Sequence, residues 1–330
     1  MRRFLWSSAA ARSGQSGAAL LAAMLTVTLV ATFAATSLWQ QFRSLEVEAA
    51  ERGRVQSGWI LTGALDWSRL ILREDARSGG ADHLAEPWAI PLNEARLSSF
   101  LAVDKTASDT EREAFLSGHI NDLQARLNIT NLIDGAAVSE PTLVTFARLF
   151  ELLGLQEQQL DALASQLLLA SKAASGSGTQ TDSAPLMPQR IEQLVWLGLA
   201  PEALAVLSPY ITLLPTRTAI NLNTASSEVI YASAPTLELA DAQKLVAARE
   251  RTHFKTLADA NKVLGSVASA FTEGEHGVAS RYFEVYGRLR LEQIVVQERS
   301  VLLRDGLNVR TLSRERGVVA DAPVPGAPRP

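Results

Sequence analysis

The side chains that could perform chemistry are few, and their spacing does not favour a catalytic centre. The four histidines, His83, His119, His253 and His276, lie in unrelated contexts without the spacing of a metal site. No serine occupies a Gly-x-Ser-x-Gly turn, and the chain has no cysteine to serve as nucleophile, thiolate ligand or disulfide partner. The sequence therefore predicts that the protein is not an enzyme.

Three polar residues, Asp122, Arg126 and Asn128, could still suggest a site because they lie close together in the sequence. Their segment also carries Ile120, Leu127 and Ile129 at strand positions. Strand alternation would place the three polar side chains largely on one face. Such side chains commonly hydrogen-bond to the backbone of a neighbouring loop. We predict this structural role for them.

The N-terminal apolar segment indicates a membrane anchor. From Ala18 to Trp39 there is no charged residue, and a helix rising about 1.5 Å per residue over this length matches a hydrocarbon core about 30 Å thick. Arg2, Arg3 and Arg12 precede it without any acidic residue. The positive-inside rule then predicts a cytoplasmic N-terminus and a body outside the cytoplasm, hence a single-pass protein of the inner membrane with a periplasmic body.

Three interpretations of this start compete. A secretory signal peptide cut near Ala31 to Ala35 is disfavoured, because the apolar run continues to Leu38 and exceeds the roughly 7 to 15 residues of a signal core. A plain uncleaved anchor is the second. The third is a type IV prepilin-like leader, residues 1–17, which the junction of Gly17 and Ala18 resembles and which would be cut between these two residues.

With that cleavage, Ala22 occupies position five of the mature chain, where most pilin-like proteins carry Glu. In a pilin-like fibre that carboxylate is thought to neutralise the N-terminal ammonium of the preceding subunit. An unpaired buried charge would cost several kcal/mol, so ordinary subunits need the pair. A subunit at the tip has no predecessor, which agrees with the absence of this Glu.

The composition is typical of a globular body. The 330 residues are 47% hydrophobic and 20% charged, and 31 basic against 35 acidic residues give a net charge of -4. These values indicate no nucleic-acid partner.

Helical periodicity predicts that the membrane span and its stalk cover residues 18–56. A second helical stretch follows from Ser57 to Arg77 and stops at Gly79 and Gly80. Trp59 and Trp67 in this stretch are expected in the core, where aromatic side chains usually supply buried area. Residues 57–132 form the first part of a pilin-like α+β domain in this interpretation.

Residues 133–280 are predicted to be an inserted, almost wholly helical domain. Residues 220–265 resemble a helix-hairpin-helix unit, with Asn223 or Thr224 as the N-cap of its first helix. Hairpins that bind DNA cradle a phosphate with a glycine-containing turn. The turn here, residues 234–238, has no glycine and adds Glu238, so the hairpin is interpreted as a packing unit.

Strand patterns return in residues 281–313, with a hairpin signal at Asp305 and Gly306. Arg299, Arg304 and Arg310 are expected on a solvated sheet face. Residues 314–330 contain four prolines and are predicted to be a disordered tail. The fold class is therefore α+β: a transmembrane helix, then a pilin-like helix and antiparallel sheet with a large all-α domain inserted.

Three sequence blocks carry a more specific resemblance. They are Glu74-Asp75-Ala76-Arg77, Asp82-His83-Leu84-Ala85-Glu86-Pro87-Trp88-Ala89, and Asp122-Leu123-Gln124-Ala125-Arg126-Leu127-Asn128-Ile129-Thr130-Asn131-Leu132. In this order, and with a glycine-ended leader, they resemble minor pseudopilin K of type II secretion systems, also called general secretion pathway protein K. The resemblance covers residues 12 to 313.

That resemblance implies a function and partners. It implies a subunit at the tip of the secretion pseudopilus, which initiates or caps fibre assembly for export of folded proteins across the outer membrane. It also implies cleavage after Gly17 by prepilin peptidase, methylation of Ala18, and assembly with minor pseudopilins I and J and the major pseudopilin fibre.

Calcium has been associated with the inserted domain of this family, where members tend to carry an aspartate-rich loop. The linker at residues 171–183 here contains Asp182 as its one acidic residue, whereas calcium needs about six to eight oxygen ligands. Glu273 and Glu275 lack calcium-loop spacing and are predicted to lie in a solvated loop. We therefore assign no cofactor or metal.

Two alternatives stay open. One is a membrane-anchored periplasmic binding module that uses the hairpin for a ligand or DNA, which predicts salt-sensitive DNA binding. The other is a secreted hydrolase, which requires a mature protein beginning near Ala35 or Thr36.

Overall fold

The computed structural model describes residues 16–97, 114–175, 184–265, 270–292 and 294–317. By its contacts the chain divides into a first unit, residues 1–56, and a second unit, residues 57–330. Parts of the predicted leader, the linker with Asp182 and the end of the tail lie outside the described residues.

Helix α1, Ser16–Ser78, is continuous, so the stalk and the second helical stretch predicted above are one helix. It ends where Gly79 and Gly80 adopt positive φ values of 67° and 116°, a conformation that glycine reaches without steric cost. From Gly17 onward this helix is long and apolar enough to cross a membrane, and its most apolar window has a mean hydropathy of 2.2.

The other helices among the described residues are α2 Glu140–Leu152, α3 Glu157–Ala174, α4 Pro201–Leu207, α5 Ser227–Ser233, α6 Leu239–Arg251 and α7 Leu257–Leu264. The strands are β1 Leu92–Arg96, β2 Ala114–Asp122, β3 Leu127–Asn128, β4 Ile133–Asp134, β5 Ala137–Val138, β6 Ile211–Thr212, β7 Ile220–Asn221, β8 His276–Gly277, β9 Tyr282–Leu291, β10 Ile294–Asp305 and β11 Asn308–Gly317. Short 3-10 helices lie at Pro87–Ala89, Leu123–Ala125, Ile129–Leu132 and Ile191–Leu197.

The main sheet has five antiparallel strands in the order β1-β2-β9-β10-β11. β2 comes from before the helical region and β9 from after it, so this pairing closes the insertion. The hairpin predicted at Asp305 and Gly306 joins β10 to β11. β11 continues to Gly317, so the tail predicted from residue 314 is wrong for its first four residues, because Arg314 and Arg316 pair in register with Ser300 and Glu298.

The C-terminal part of α1 packs against one face of this sheet. Leu65 and Leu72 join Trp88, Phe283 and Leu302 in one buried cluster, and Leu61 belongs to a second cluster. The close approach depends on glycine, because a Cβ on Gly287 would lie 3.2 Å from Leu61 Cδ2. The mixture of an antiparallel sheet, helices and a long N-terminal apolar helix confirms the α+β class.

Trp59 and Trp67 contradict the prediction that they are core residues, because their exposed fractions are 73% and 51%. Trp59 lies two positions from Leu61, and Trp67 lies two positions from Leu65. Two positions correspond to about 200° of helical turn, and both leucines face the sheet. α1 therefore holds both indoles on its outer side.

The helical region has the largest hydrophobic cluster, which draws on residues from Leu127 to Phe271. Its centre includes Phe146, Leu163, Leu194 and Ile230, all at most 1% exposed. The 3-10 helix that contains Ile129 and Leu132 belongs to this cluster as well. The end of the first sheet segment therefore continues directly into the helical core.

Candidate functional site

A buried polar cluster lies where α1, the sheet and the helical region meet. We call it the polar joint and define it as Asp75, Asp82, Asp122, Asn221, Thr224, Ser280 and Arg304. Except for partly buried Asp75, these residues are buried. They come from the end of α1, the loop after it, β2, β7, the segment before α5, the segment before β9, and β10.

Asp122 is the central acceptor of the polar joint. Its Oδ2 accepts hydrogen bonds from Asn221 Nδ2 at 3.0 Å, Thr224 Oγ1 at 2.6 Å and Ser280 Oγ at 2.6 Å. Its Oδ1 accepts the backbone N–H of Gln124 at 2.8 Å. Burial raises the pKa of Asp122, whereas the hydrogen bonds from Ser280, Thr224 and Gln124 oppose that rise.

Arg304 supplies the positive charge of the polar joint. Its Nη1 donates to Asp75 Oδ2 and its Nη2 to Asp82 Oδ1, both at 2.5 Å, and Nη2 also reaches the carbonyl of Ser280 at 2.8 Å. The guanidinium lies over the ring of Phe283, 4.8 Å from its centroid. Only 8% of Arg304 is exposed, so its predicted place on a solvated face is wrong, while Arg310 is exposed as predicted.

The exposure of Arg299 is intermediate between that of Arg304 and that of Arg310. It is partly buried, and its Nη2 pairs with Glu315 at 3.0 Å while Nη1 lies 3.6 Å from Glu192. Glu192 belongs to the 3-10 helix of the helical region, so this arginine links the other face of the sheet to that region.

A metal ion fits this cluster poorly. Asp75, Asp82 and Glu86 have ligand oxygens within 4.8 Å of one another, yet Arg304 already neutralises two of these carboxylates. Calcium would need several further oxygen ligands in place of that guanidinium. Glu273 and Glu275 are exposed, as predicted for a solvated loop.

Side chains of the block from Asp122 to Leu132 hydrogen-bond to the segment at residues 212–219. Gln124 Nε2 donates to the carbonyl of Ala219, and Asn128 Nδ2 donates to that of Thr216, at 2.9 and 2.8 Å. Asn131 bonds both the carbonyl and the N–H of Thr218. The predicted backbone-bonding role of Asp122 and Asn128 is therefore confirmed.

The strand geometry predicted for these residues is confirmed in part, because Asp122 ends β2 and Asn128 ends β3, but a 3-10 helix interrupts the run between them. Asp122 and Asn128 each precede a 3-10 helix, and each accepts a backbone N–H two residues on, from Gln124 and Thr130. Short polar side chains favour this local capping over strand alternation. Arg126 lies between the two turns and is buried.

The hairpin at residues 220–265 contains α5, α6 and α7, with the turn at residues 234–238 as predicted. The N-cap of α5 is Ser226, whose side chain accepts from Val229 N, so the predicted cap at Asn223 or Thr224 is wrong. Asn223 instead holds the far end of the hairpin, accepting from Phe254 N at 2.8 Å and donating to its carbonyl at 2.9 Å.

The basic residues of the hairpin do not form a phosphate site. Arg249 donates to the carbonyl of Leu222 at 2.6 Å, and burial lowers its pKa to about 10. Lys244 and Arg251 are exposed, beside the carboxylates Asp241 and Glu250. The polar contacts of Asn223 and Arg249 are therefore internal to the hairpin.

Two family models match this chain, and both describe type II secretion system protein K. One covers residues 125–216 and the other residues 220–278. The chain is 27% identical to type II secretion system protein K of Pseudomonas aeruginosa over 332 aligned positions, which cover 93% of this chain and 94% of that protein. The corresponding protein of Pectobacterium carotovorum is 25% identical, with 93% and 98% covered.

The fold has a counterpart among solved structures. A chain of the GspK–GspI–GspJ complex from enterotoxigenic Escherichia coli superposes with a TM-score of 0.58 at 16% identity, covering 82% of this chain and 99% of that one. The chain is therefore similar to the protein K family of the type II secretion system in two family models and over almost the full length of two relatives.

The family is a structural pseudopilin component of the secretion machinery. In the present chain, His276 contacts Ser233, and the two are not arranged as a catalytic pair. Thr272 N donates to His276 Nδ1 at 3.3 Å, so the neutral ring carries its proton on Nε2, which faces Ser233 Oγ at 3.1 Å. A serine that accepts a proton from histidine is not activated as a nucleophile.

Pseudopilins of this secretion system are membrane-anchored, and α1 of the present chain has the length and hydropathy to span a membrane. Gly17, Ala18 and Ala22 all lie in α1, with exposed side-chain positions. The three arginines that precede the span lie outside the described residues.

Proposed function

We propose that this protein is the minor pseudopilin at the tip of the type II secretion pseudopilus, where it initiates or caps assembly of the fibre. The fibre would serve export of folded proteins across the outer membrane. The similarity to protein K, in two family models and over almost the full length of a relative, is the observation that carries the proposal. Two features of this chain, the residue at position 22 and the helical region, support it independently.

Ala22 is the first feature. If Ala18 is the mature N-terminus, an internal subunit with Ala22 would leave its neighbour's ammonium without a carboxylate partner in an apolar bundle. Breaking such a buried pair typically costs about 3–5 kcal/mol. A tip subunit avoids this cost because no subunit precedes it.

The helical region is the second feature. It is inserted between β2 and β9 and is fixed to the sheet by the polar joint, so it is a rigid part of the subunit's periplasmic body. A subunit inside a fibre would have to accommodate this added bulk between its neighbours. At the tip the helical region meets no following subunit.

We further propose that the partners are minor pseudopilins I and J, as in the complex of the Escherichia coli relative. The surface that we assign to this contact is the outer side of α1 at Trp59, Gly63 and Trp67. Four-residue spacing puts these three on one stripe, and a Cβ built on Gly63 meets nothing within 4 Å. Two exposed indoles on either side of a glycine fit the apolar face of a partner helix.

Gly63 and Trp67 of this stripe also line a groove of about 640 Å³, which follows α1 from Ile60 to Ile71 and is bounded on the other side by Pro87 and Leu92. Its lining is mainly apolar, and its carboxylate, Glu298, is neutralised by Arg314 and Arg316 at 2.6 Å each. An uncharged partner surface therefore suits it.

The processing steps belong to the same proposal. The N-terminus would remain in the cytoplasm, prepilin peptidase would cut between Gly17 and Ala18 and methylate Ala18, and the body would lie in the periplasm. Three leader arginines without an acidic residue support this orientation.

The deciding experiment is N-terminal sequencing and mass measurement of the protein from membranes of a host with active prepilin peptidase. A start at Ala18 with one added methyl group supports the proposal, whereas a start at Met1 contradicts the processing.

Gold labelling of the assembled fibre tests the position: label at one end supports a tip subunit, and label along the fibre contradicts it.

A further inference from the structure

The rings of His83 and His253 stack at the boundary between the sheet and the helical region. Their centroids are 3.8 Å apart and their planes differ by 12°. His83 lies in the loop that follows α1, and His253 follows the last turn of α6. The pair therefore connects two segments that are 170 positions apart in the sequence, and the function proposed above makes no use of it.

The charged groups around the pair are unequally distributed. On the His83 side, Glu86 Oε1 lies 3.9 Å from Nε2, and Ala85 N donates to Nδ1 at 3.3 Å. Behind Glu86 lie Asp75 and Asp82, which are paired with Arg304. On the His253 side the facing charge is Lys255. The ring of His83 thus faces a carboxylate, whereas the ring of His253 faces a cation.

We infer that His83 and His253 form an acid-sensitive latch, which holds the end of the hairpin against the loop after α1 when the pair carries at most one proton. Stacked neutral imidazoles, or one imidazole on an imidazolium, attract each other. Two imidazoliums at the same separation repel each other. The second protonation therefore opens the contact locally.

The surroundings of the latch support this inference. The pKa of His253 is lowered, by partial burial first and then by the charges of His83 and Lys255. Next to His253, Phe254 is clamped by its two hydrogen bonds to Asn223. Opening of the latch would remove the contact that flanks this clamp, so the amide of Phe254 is a local reporter.

The test is a histidine titration by NMR on the full-length protein in detergent micelles, for the wild type, His83→Gln and His253→Gln. Removal of His83 should raise the pKa of His253 by about one pH unit, the size expected for strongly coupled sites. A His119→Gln variant should leave the pKa of His253 unchanged.

Hydrogen exchange at Phe254 gives a second readout. After correction for the intrinsic pH dependence, exchange in the wild type should be at least about tenfold faster at pH 5 than at pH 7, and His83→Gln should lose most of this difference. A pKa of His253 that is unchanged or lowered in His83→Gln would overturn the inference. Equal acceleration of Phe254 exchange at pH 5 in the wild type and in His83→Gln would overturn it as well.

Discussion

Asn221 donates from Nδ2 to Oδ2 of Asp122 at 3.0 Å, and this bond joins the start of the hairpin at residues 220–265 to the third of the sequence blocks that resemble protein K. The same Nδ2 also reaches the carbonyl of Asp82 and the hydroxyl of Ser280. One buried amide thereby holds the loop after α1, the end of β2 and the segment before β9. The family-like blocks serve as joints between parts of the fold, which agrees with a structural component of a secretion machine.

The first prediction concerns Asp122. Asp122→Ala leaves Asn221, Thr224 and Ser280 without their shared acceptor in a buried site, and such groups cost about 1–3 kcal/mol each. We expect a loss of about 3 kcal/mol in the free energy of unfolding, measured by urea titration of the detergent-solubilised protein. The control is Asp134→Ala. Because the carboxylate of Asp134 is 74% exposed, this substitution should change the free energy of unfolding by less than about 0.5 kcal/mol. Equal effects of both substitutions would contradict the role of the polar joint.

The second prediction compares two arginines of the same β-hairpin. Arg304→Lys cannot contact Asp75, Asp82 and the carbonyl of Ser280 together, because lysine lacks the planar fork. We expect a loss of about 2 kcal/mol or more in unfolding free energy. Arg310→Lys, at an exposed position, should have no measurable effect. A tolerated Arg304→Lys would mean that a point charge suffices there.

Arg304 also shows where the sequence stops being informative. Its strand and hairpin follow from alternation and the Asp305-Gly306 turn, but its carboxylate partners lie 229 and 222 positions away in the chain. No local pattern distinguishes it from exposed Arg310. The antiparallel sheet, the helical insertion and the hairpin turn follow from periodicity and turn chemistry, whereas burial of a single charged residue follows from the tertiary fold.

Asp122 and Asn128 illustrate a different limit. Their spacing suits one continuous strand, yet Asp122 ends β2, Asn128 ends β3, and each caps the short 3-10 helix that follows. The signal that could have found this is their residue type, because Asp and Asn compete with regular structure by bonding the backbone two residues on. The long-range partners at residues 212–219 have no such signal.

The third prediction is a pH dependence caused by His276. Burial lowers its pKa, opposed by Glu275 and by the hydrogen bonds with Thr272 and Ser233. Below a pH of about 6.5 the unfolded chain binds a proton at this histidine that the folded protein does not. The unfolded state then holds more protons, so the unfolding free energy falls as pH decreases through this range.

Urea titrations at pH 7.5, 6.5 and 5.5 check this sign. The wild type should lose stability from the first pH to the last, and His276→Gln should lose less over the same interval. Part of the pH dependence that remains in His276→Gln comes from His253, whose pKa is also lowered. Parallel slopes for the two proteins would exclude His276 as the cause.

The last prediction separates a surface tryptophan from a core tryptophan. Trp88 is 1% exposed and meets the ring of Phe283 edge-on at 5.2 Å, so Trp88→Ala should cost about 3–5 kcal/mol in unfolding free energy. Trp59→Ala removes an indole that is 73% exposed and should cost less than about 0.5 kcal/mol. If Trp59 instead anchors a partner helix, its truncation should weaken association with minor pseudopilins I and J by about 30-fold, the effect of a typical interface hot spot.

Co-purification at defined concentrations, together with the urea titration, distinguishes the outcomes. Stable folding with weakened association identifies the outer side of α1 as the contact surface. Loss of stability comparable to Trp88→Ala would contradict the exposed position of the indole, and unchanged association would move the contact elsewhere. The apolar pattern of α1 cannot decide this beforehand, because Ile60 and Leu61 directly follow Trp59 and only packing of Leu61 on the sheet turns the indole outward.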